Sequence, residues 1–177
     1  IINTRKFLYL AMEVRTGKTL TSLGIAQKLV RVNNVLFITK KKAISSIESD
    51  YNMLDPNYDL TVINYESLHK IPEKGWDMII CDEAHTLGAF PKPSKRAKQV
   101  KELVIKNNCF VVLLSGTPTP ESYSQMYHQV FGIPNNPFRQ YQSFYKFCHD
   151  YVDVRERKIN SMYIRDYSSG RDSIIEK

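Results

Sequence analysis

Five short apolar segments recur along the 177-residue chain and limit its fold more than any other feature. They lie at residues 7–11, 35–38, 60–63, 78–81 and 109–114. Each has the length of a strand, and almost none shows the alternating polar residues of a strand with one exposed face. Runs of this kind indicate strands that are buried on both faces of a sheet.

Segments with helical spacing separate the apolar runs. The clearest has Ile44, Ile47, Tyr51 and Leu54 on one helical face, and further segments lie at 19–30, 65–69, 94–106, 121–131 and 143–152. Strands that alternate with helices favour an α/β fold, in which helices cover both faces of a parallel sheet. Such sheets bind ligands at the carboxyl ends of their strands, so functional residues are expected in loops that follow strands.

Composition excludes several classes of protein. No apolar run approaches the roughly 20 residues of a membrane span, so no membrane association is expected. The three cysteines are widely spaced and lack metal-binding spacing, which favours free thiols, buried at Cys81 and Cys109, in a reducing cytoplasm. The net charge of +7 favours a polyanionic partner such as nucleic acid, although a basic surface without a ligand has the same composition.

The first polar loop, VRTGKT, follows the first predicted strand and opens a helix; it is called the phosphate loop below. Backbone N–H groups at a helix N-terminus bind phosphate, and Lys18 would reach the β- and γ-phosphates of a nucleotide. Thr19 would hold Mg²⁺ through its hydroxyl. The predicted nucleotide-binding residues are Arg15, Thr16, Gly17, Lys18, Thr19 and Leu20. Met12 occupies the place of the first glycine of the full pattern, and the alternative is a helix start followed by a surface lysine.

Two further polar loops follow strands. In MIICDEAH, Asp82 and Glu83 end an apolar strand. Mg²⁺ would balance the charge of Asp82. Glu83 would deprotonate a water molecule. The alternative is a solvated turn that caps a helix. In FVVLLSGTP, Ser115, Gly116 and Thr117 form a small polar turn, which on its own is ordinary.

Together and in this order, VRTGKT, DEAH and SGTP resemble the first motor domain of superfamily 2 helicases and translocases. The DEAH-type, Swi/Snf-like branch with its phage and bacterial relatives is the most similar. The resemblance covers residues 7–147 approximately, with weaker support from ITK, INYESL and SKRAKQVKEL. It implies a RecA-like P-loop NTPase domain that hydrolyses ATP with Mg²⁺ and moves on DNA.

The resemblance also implies a role for individual residues. Lys18, Asp82 and Glu83 match catalytic positions, and Thr19 and Asp82 match the metal ligands. His85, Ser115, Gly116 and Thr117 match the motifs that couple the ATP site to nucleic acid. Thr39, Lys40 and Lys41 fall where the family contacts the DNA backbone. Because Lys40 follows a different strand from the phosphate loop, a change there is expected to leave ATP affinity unaltered.

Several features depart from the family pattern. The remodelling branch has glycine at the position of Arg15, whose side chain would either contact phosphate or point to solvent. The motor domain is predicted to span residues 1–150, and residues 151–177 are predicted as an appendage or the start of a linker. A second RecA-like domain of the same full-length chain would supply an arginine finger, so this chain alone is expected to hydrolyse ATP poorly.

Two alternatives share these features. One is the motor subunit of a restriction complex, which would carry the same motifs. The other is a nucleic-acid-binding module with an inactive nucleotide site, and the intact Lys18, Asp82 and Glu83 argue against it.

Overall fold

A five-stranded parallel sheet forms the centre of the computed structural model, which describes residues 2–160 and 162–176. Its strands are β1 (Phe7–Ala11), β2 (Asn34–Thr39), β3 (Asp59–Asn64), β4 (Met78–Cys81) and β5 (Phe110–Ser115). They lie in the order β1-β5-β4-β2-β3. All five strands predicted from the apolar runs are confirmed, with bounds that differ by one residue.

Six α-helices precede, connect or follow the strands within the described residues. They are α1 (Ile2–Arg5), α2 (Lys18–Lys28), α3 (Ile44–Leu54), α4 (Lys95–Asn107), α5 (Met126–Val130) and α6 (Phe144–Tyr151). Ser94 and Ser143 cap α4 and α6, because each side chain accepts a hydrogen bond from a backbone N–H of the first turn. The predicted helix 65–69 is a 3-10 helix, Tyr65–Lys70.

The helix predicted at 121–131 is shorter than expected. Its first part is a separate 3-10 turn, Tyr123–Gln125, and only Met126–Val130 is α-helical. Ser122 starts the turn by accepting a hydrogen bond from the backbone N–H of Ser124. Gly132 has a φ of 82° just beyond the helix, a conformation that glycine adopts without a steric penalty.

The sheet is covered on both faces, as the continuous apolar strands predict. Alternate strand residues such as Ile38, Ile79 and Leu113 pack in one apolar cluster with α4, α5 and α6. Their neighbours, such as Phe37 and Ile80, pack in a second cluster with α2 and α3. Side chains of successive strand residues point to opposite faces, so the two clusters divide the strands residue by residue.

The parallel register brings the carboxyl ends of the strands to one edge of the sheet. Ala11 of β1 lies beside Ser115 of β5, and Ile38 of β2 lies beside Cys81 of β4. The polar loops that follow β1, β2, β4 and β5 therefore meet at this edge.

The end of the chain forms an antiparallel hairpin that the sequence analysis did not predict. Its strands are β6 (Arg155–Ile159) and β7 (Met162–Asp166), and nearly all of their side chains are exposed. After the hairpin the chain returns to the domain, where Ile174 is buried in the cluster that contains α6. Strands with two exposed faces carry no apolar pattern, which is why this hairpin could not be predicted from periodicity.

The cysteines are free and buried within the described part of the chain. Burial raises the pKa of Cys109 and Cys148 to about 12, and it raises that of Cys81 further. All three thiols are therefore protonated at neutral pH, and the buried thiols predicted at Cys81 and Cys109 are confirmed. Among the described residues, none of the helices has the length and apolar character needed to cross a membrane.

Candidate nucleotide site

The loop after β1 turns into α2 at Gly17. Gly17 has a φ of 83° and a ψ of 25°, a left-handed conformation that is costly for other residues. A Cβ at Gly17 would meet no atom within 4 Å, so the conformation and not crowding requires the glycine here. Thr16 stabilises the turn, because its hydroxyl donates a hydrogen bond of 2.7 Å to the carbonyl of Glu13.

Lys18 is the first residue of α2, and its ammonium group folds back over the loop. The Nζ atom donates to the carbonyl oxygens of Met12 at 3.1 Å and of Glu13 at 2.8 Å. Neutral carbonyls are weaker partners for an ammonium group than phosphate oxygens, so a bound phosphate can replace them. Thr19 and Leu20 follow in the first turn of α2, where Thr19 is half-buried and Leu20 is exposed.

Asp82 follows β4 and is held at three of its atoms. Its backbone N–H donates to the carbonyl of Ile38, and its carbonyl accepts from the Tyr65 hydroxyl at 2.7 Å. One carboxylate oxygen, Oδ2, accepts a hydrogen bond of 2.8 Å from the hydroxyl of Thr39. Burial raises the pKa of Asp82 above its ordinary value, and the hydrogen bond from Thr39 opposes that shift. A partly buried carboxylate of this kind is stabilised by a nearby cation.

Glu83 contacts two cationic or titratable side chains. Its Oε1 lies 3.8 Å from Lys40 Nζ, and its Oε2 lies 3.3 Å from His85 Nδ1. The pair with Lys40 is exposed, and such pairs contribute only about 0–1 kcal/mol, so Glu83 is able to exchange this partner. Glu83 also has a φ of 51°, a conformation that costs a non-glycine residue roughly 1–2 kcal/mol.

His85 joins the DEAH loop to the SGTP loop. Its Nδ1 lies 3.1 Å from the hydroxyl of Ser115, and the same hydroxyl accepts a hydrogen bond from the backbone N–H of Thr117 at 3.2 Å. A chain of contacts therefore runs from Glu83 through His85 to Ser115.

Gly116 lets the SGTP loop lie against the phosphate loop. A Cβ at Gly116 would lie 3.3 Å from Val14 Cγ2 and 3.6 Å from Lys18 Nζ. The backbone N–H of Met12 also donates to the carbonyl of Ser115. The SGTP loop after β5 thus contacts both the loop after β1 and the DEAH loop after β4, and it joins the three predicted loops at one edge of the sheet.

The structure bears on two expectations for the end of β2. Thr39 was expected to contact the DNA backbone, but its side chain is fully buried and its hydroxyl donates to Asp82. A change at Lys40 was expected to leave ATP affinity unaltered; Lys40 lies beside Glu83, and the expectation for ATP affinity stays a prediction. Both placements have the same cause, because β2 and β4 are neighbours in the sheet although 43 residues separate Thr39 from Asp82. Lys41 is exposed at the start of a 3-10 helix, as a DNA contact would require.

The sequence analysis also missed Tyr65 as a residue of the site. Tyr65 is buried, and its hydroxyl reaches the backbone of Asp82 from the loop after β3. Its signals were its place two residues after a predicted strand and its position in INYESL, one of the weaker supports for the resemblance. For Thr39 the signal was clearer, since it is the one hydroxyl that closes an otherwise apolar strand.

Arg15 gives a first prediction. It is exposed and has a φ of 66°, so glycine would relieve a conformational cost of roughly 1 kcal/mol. Glycine also increases the conformational entropy of the unfolded chain, which lowers the stability of the fold by about 0.4–1 kcal/mol. The two effects on stability oppose each other. We expect Arg15→Gly to leave the melting temperature and the affinity for fluorescent Mg-ADP nearly unchanged.

Arg15→Ala is the matched control, because it removes the guanidinium group and keeps the conformational cost. Severe loss of nucleotide affinity in both variants, with the fold intact, would instead identify Arg15 as a phosphate ligand.

Comparison with family models matches residues 27–163 to the SNF2-related domain. The chain therefore belongs to the SNF2-related domain family, whose members are generally ATP-dependent, helicase- or translocase-like motors. The matched range contains the DEAH and SGTP loops and begins within α2, after the phosphate loop.

A search of curated proteins finds no significant match. Among solved structures, an O-methyltransferase family protein from Burkholderia thailandensis is similar at 9% identity and a TM-score of 0.35. The aligned region covers 87% of this chain and 57% of that one. A likeness at this level carries no argument about function.

Proposed function

We propose that the chain is the ATP-binding first motor domain of a DNA helicase or translocase. The observation that supports this most directly is the contact of the SGTP loop with both other motif loops. Lys18 approaches Gly116, Glu83 contacts His85, and His85 contacts Ser115. A phosphate-binding lysine, a carboxylate pair and a small polar turn thus share one edge of a parallel sheet, which is where such sheets bind ligands.

The residues present fit a magnesium nucleotide. The phosphates would bind at the N-terminus of α2, where Gly17 keeps the backbone open and Lys18 exchanges its carbonyl partners for phosphate oxygens. Asp82 and Thr19 would hold Mg²⁺, which when bound neutralises phosphate charge. The partly buried Asp82 carboxylate supports this assignment, because oxygen ligands suit Mg²⁺.

Glu83 is the proposed general base for the attacking water. It is partly exposed at the end of its loop, and its contact with Lys40 is weak enough to be exchanged. His85 would report the state of the ATP site to the SGTP loop through Ser115. Movement of the DEAH loop would then change the hydrogen bonds of the SGTP loop, and movement of the SGTP loop would change those of the DEAH loop.

The phosphate loop lies on an open surface, with residues 13–17 exposed. Catalysis of phosphate transfer benefits from a site that excludes water, so we propose that a second RecA-like domain of the full-length chain covers this surface. Such a domain would also supply the arginine finger, and we expect poor hydrolysis without it. The three free thiols fit a cytoplasmic protein.

DNA binding tests the proposal. Lys40 and Lys41 are exposed at the same edge of the sheet as the nucleotide site, and they would contact the DNA backbone. We expect weak binding to duplex and single-stranded DNA, with a dissociation constant on the order of 10⁻⁴–10⁻⁶ M and little dependence on sequence. The affinity should fall steeply with salt. Lys41→Glu should lower it for all sequences and reduce the salt slope by about 1.

Fluorescence anisotropy at several salt concentrations measures both effects. Lys28→Glu is the matched control, because Lys28 is an exposed lysine at the far end of α2, towards the opposite edge of the sheet. Absence of binding at low salt would refute the DNA assignment. Equal losses in the two variants would show a general charge effect instead of a contact at Lys41.

A further inference from the structure

The hydroxyl of Thr39 is placed where the packing of β2 has no need of it. The four preceding residues, 35–38, are apolar and fully buried, and Thr39 is itself fully buried. Burying a hydroxyl without a partner costs roughly 1–3 kcal/mol, so a residue such as valine would serve packing better. The hydroxyl is instead paired with Asp82 Oδ2 at 2.8 Å.

We propose that Thr39 is a positioning residue that fixes the orientation of the Asp82 carboxylate for Mg²⁺. This inference rests on the proposed function, in which Asp82 holds the metal. The backbone of Asp82 is anchored by Ile38 and Tyr65, and its carboxylate is anchored through Oδ2 by Thr39. With the backbone held, rotation of the Asp82 side chain about χ1 and χ2 is limited by the Thr39 hydrogen bond.

The geometry favours a role in orientation over a role in packing alone. Thr39 ends β2 directly beside the end of β4, so its hydroxyl reaches the carboxylate without a flexible side chain. A buried, β-branched residue has little rotamer freedom, which makes its hydroxyl a rigid donor. Groups that orient metal ligands in this way typically change metal affinity or activity by about 10–100-fold when they are removed.

Thr39→Val tests the inference, because it keeps the shape and removes the hydroxyl. The 177-residue chain with fluorescent ADP would be titrated with Mg²⁺ to give the apparent Mg²⁺ affinity, and its affinity for ADP would be measured separately in EDTA. We expect Thr39→Val to lose about 10–100-fold in apparent Mg²⁺ affinity and to keep the affinity measured in EDTA. Thr39→Ser restores the hydroxyl and should restore the magnesium dependence.

A double variant shows whether Thr39 acts through Asp82. Adding Thr39→Val to Asp82→Asn should change the Mg²⁺ affinity no further, since the two residues act as one unit. Circular dichroism checks the fold of each variant. Should Thr39→Val not fold, Thr39→Cys takes its place, because a thiol is a weaker donor, and a reduced Mg²⁺ affinity is again expected.

Two outcomes would overturn the positioning role. One is a magnesium dependence equal to that of the wild type in folded Thr39→Val, or in Thr39→Cys if it is used. The other is an equal loss in EDTA and in Mg²⁺ that serine does not restore, which would indicate packing alone. If the wild-type chain binds nucleotide without any effect of Mg²⁺, the proposed metal site fails first, and the Thr39 inference fails with it.

Discussion

Replacement of Lys18 by alanine is expected to weaken Mg-nucleotide binding by roughly 10–150-fold, because a charge-assisted hydrogen bond contributes about 1.5–3 kcal/mol. Lys18 Nζ is already positioned over the phosphate loop by the carbonyls of Met12 and Glu13. Alanine removes the only ammonium group that the described structure places on these loop carbonyls. Titration calorimetry or a fluorescent nucleotide would measure the loss in the 177-residue chain.

Lys28→Ala is the control for this measurement. Lys28 lies on the same helix, at the end that faces away from the phosphate loop. The Lys28→Ala variant should bind nucleotide with the affinity of the wild type. Equal binding by Lys18→Ala and the wild type would overturn the phosphate-loop assignment and leave Lys18 as a surface lysine at a helix start.

The second large effect is expected for Glu83→Gln in the full-length protein. Glutamine keeps the shape of the side chain and cannot accept the proton of the attacking water. We expect ATP binding to be retained and turnover at saturating DNA to fall by about 10²–10⁴-fold, the usual contribution of a general base. Steady-state ATPase rates and nucleotide titrations on the same preparation separate the two effects.

Glu102→Gln is a suitable control, because Glu102 is an exposed carboxylate on α4, outside the three motif loops. Wild-type turnover in Glu83→Gln would show that Glu83 is not the base. Absence of turnover in the wild type itself, with nucleotide still bound, would favour the alternative of a nucleic-acid-binding module with an inactive site.

Much of the fold could be predicted from the sequence because its central strands, β2, β4 and β5, are buried on both faces. Such strands must be continuously apolar, and each apolar run therefore marked one strand within a residue of its observed bounds. The exposed hairpin Arg155–Ile159 and Met162–Asp166 escaped prediction for the converse reason. Its residues pack against no core, so burial imposes no pattern on them.

The sequence by itself identified the motif residues of the candidate site, since Lys18, Asp82, Glu83 and Ser115 all lie in loops that follow strands or at a strand end. It could not determine which of them touch. Those contacts depend on the order of strands in the sheet, and apolar runs specify strands without specifying their neighbours. Because β2 lies beside β4, Thr39 reaches Asp82 and Lys40 reaches Glu83. Only the tertiary structure could place these two residues in the nucleotide site.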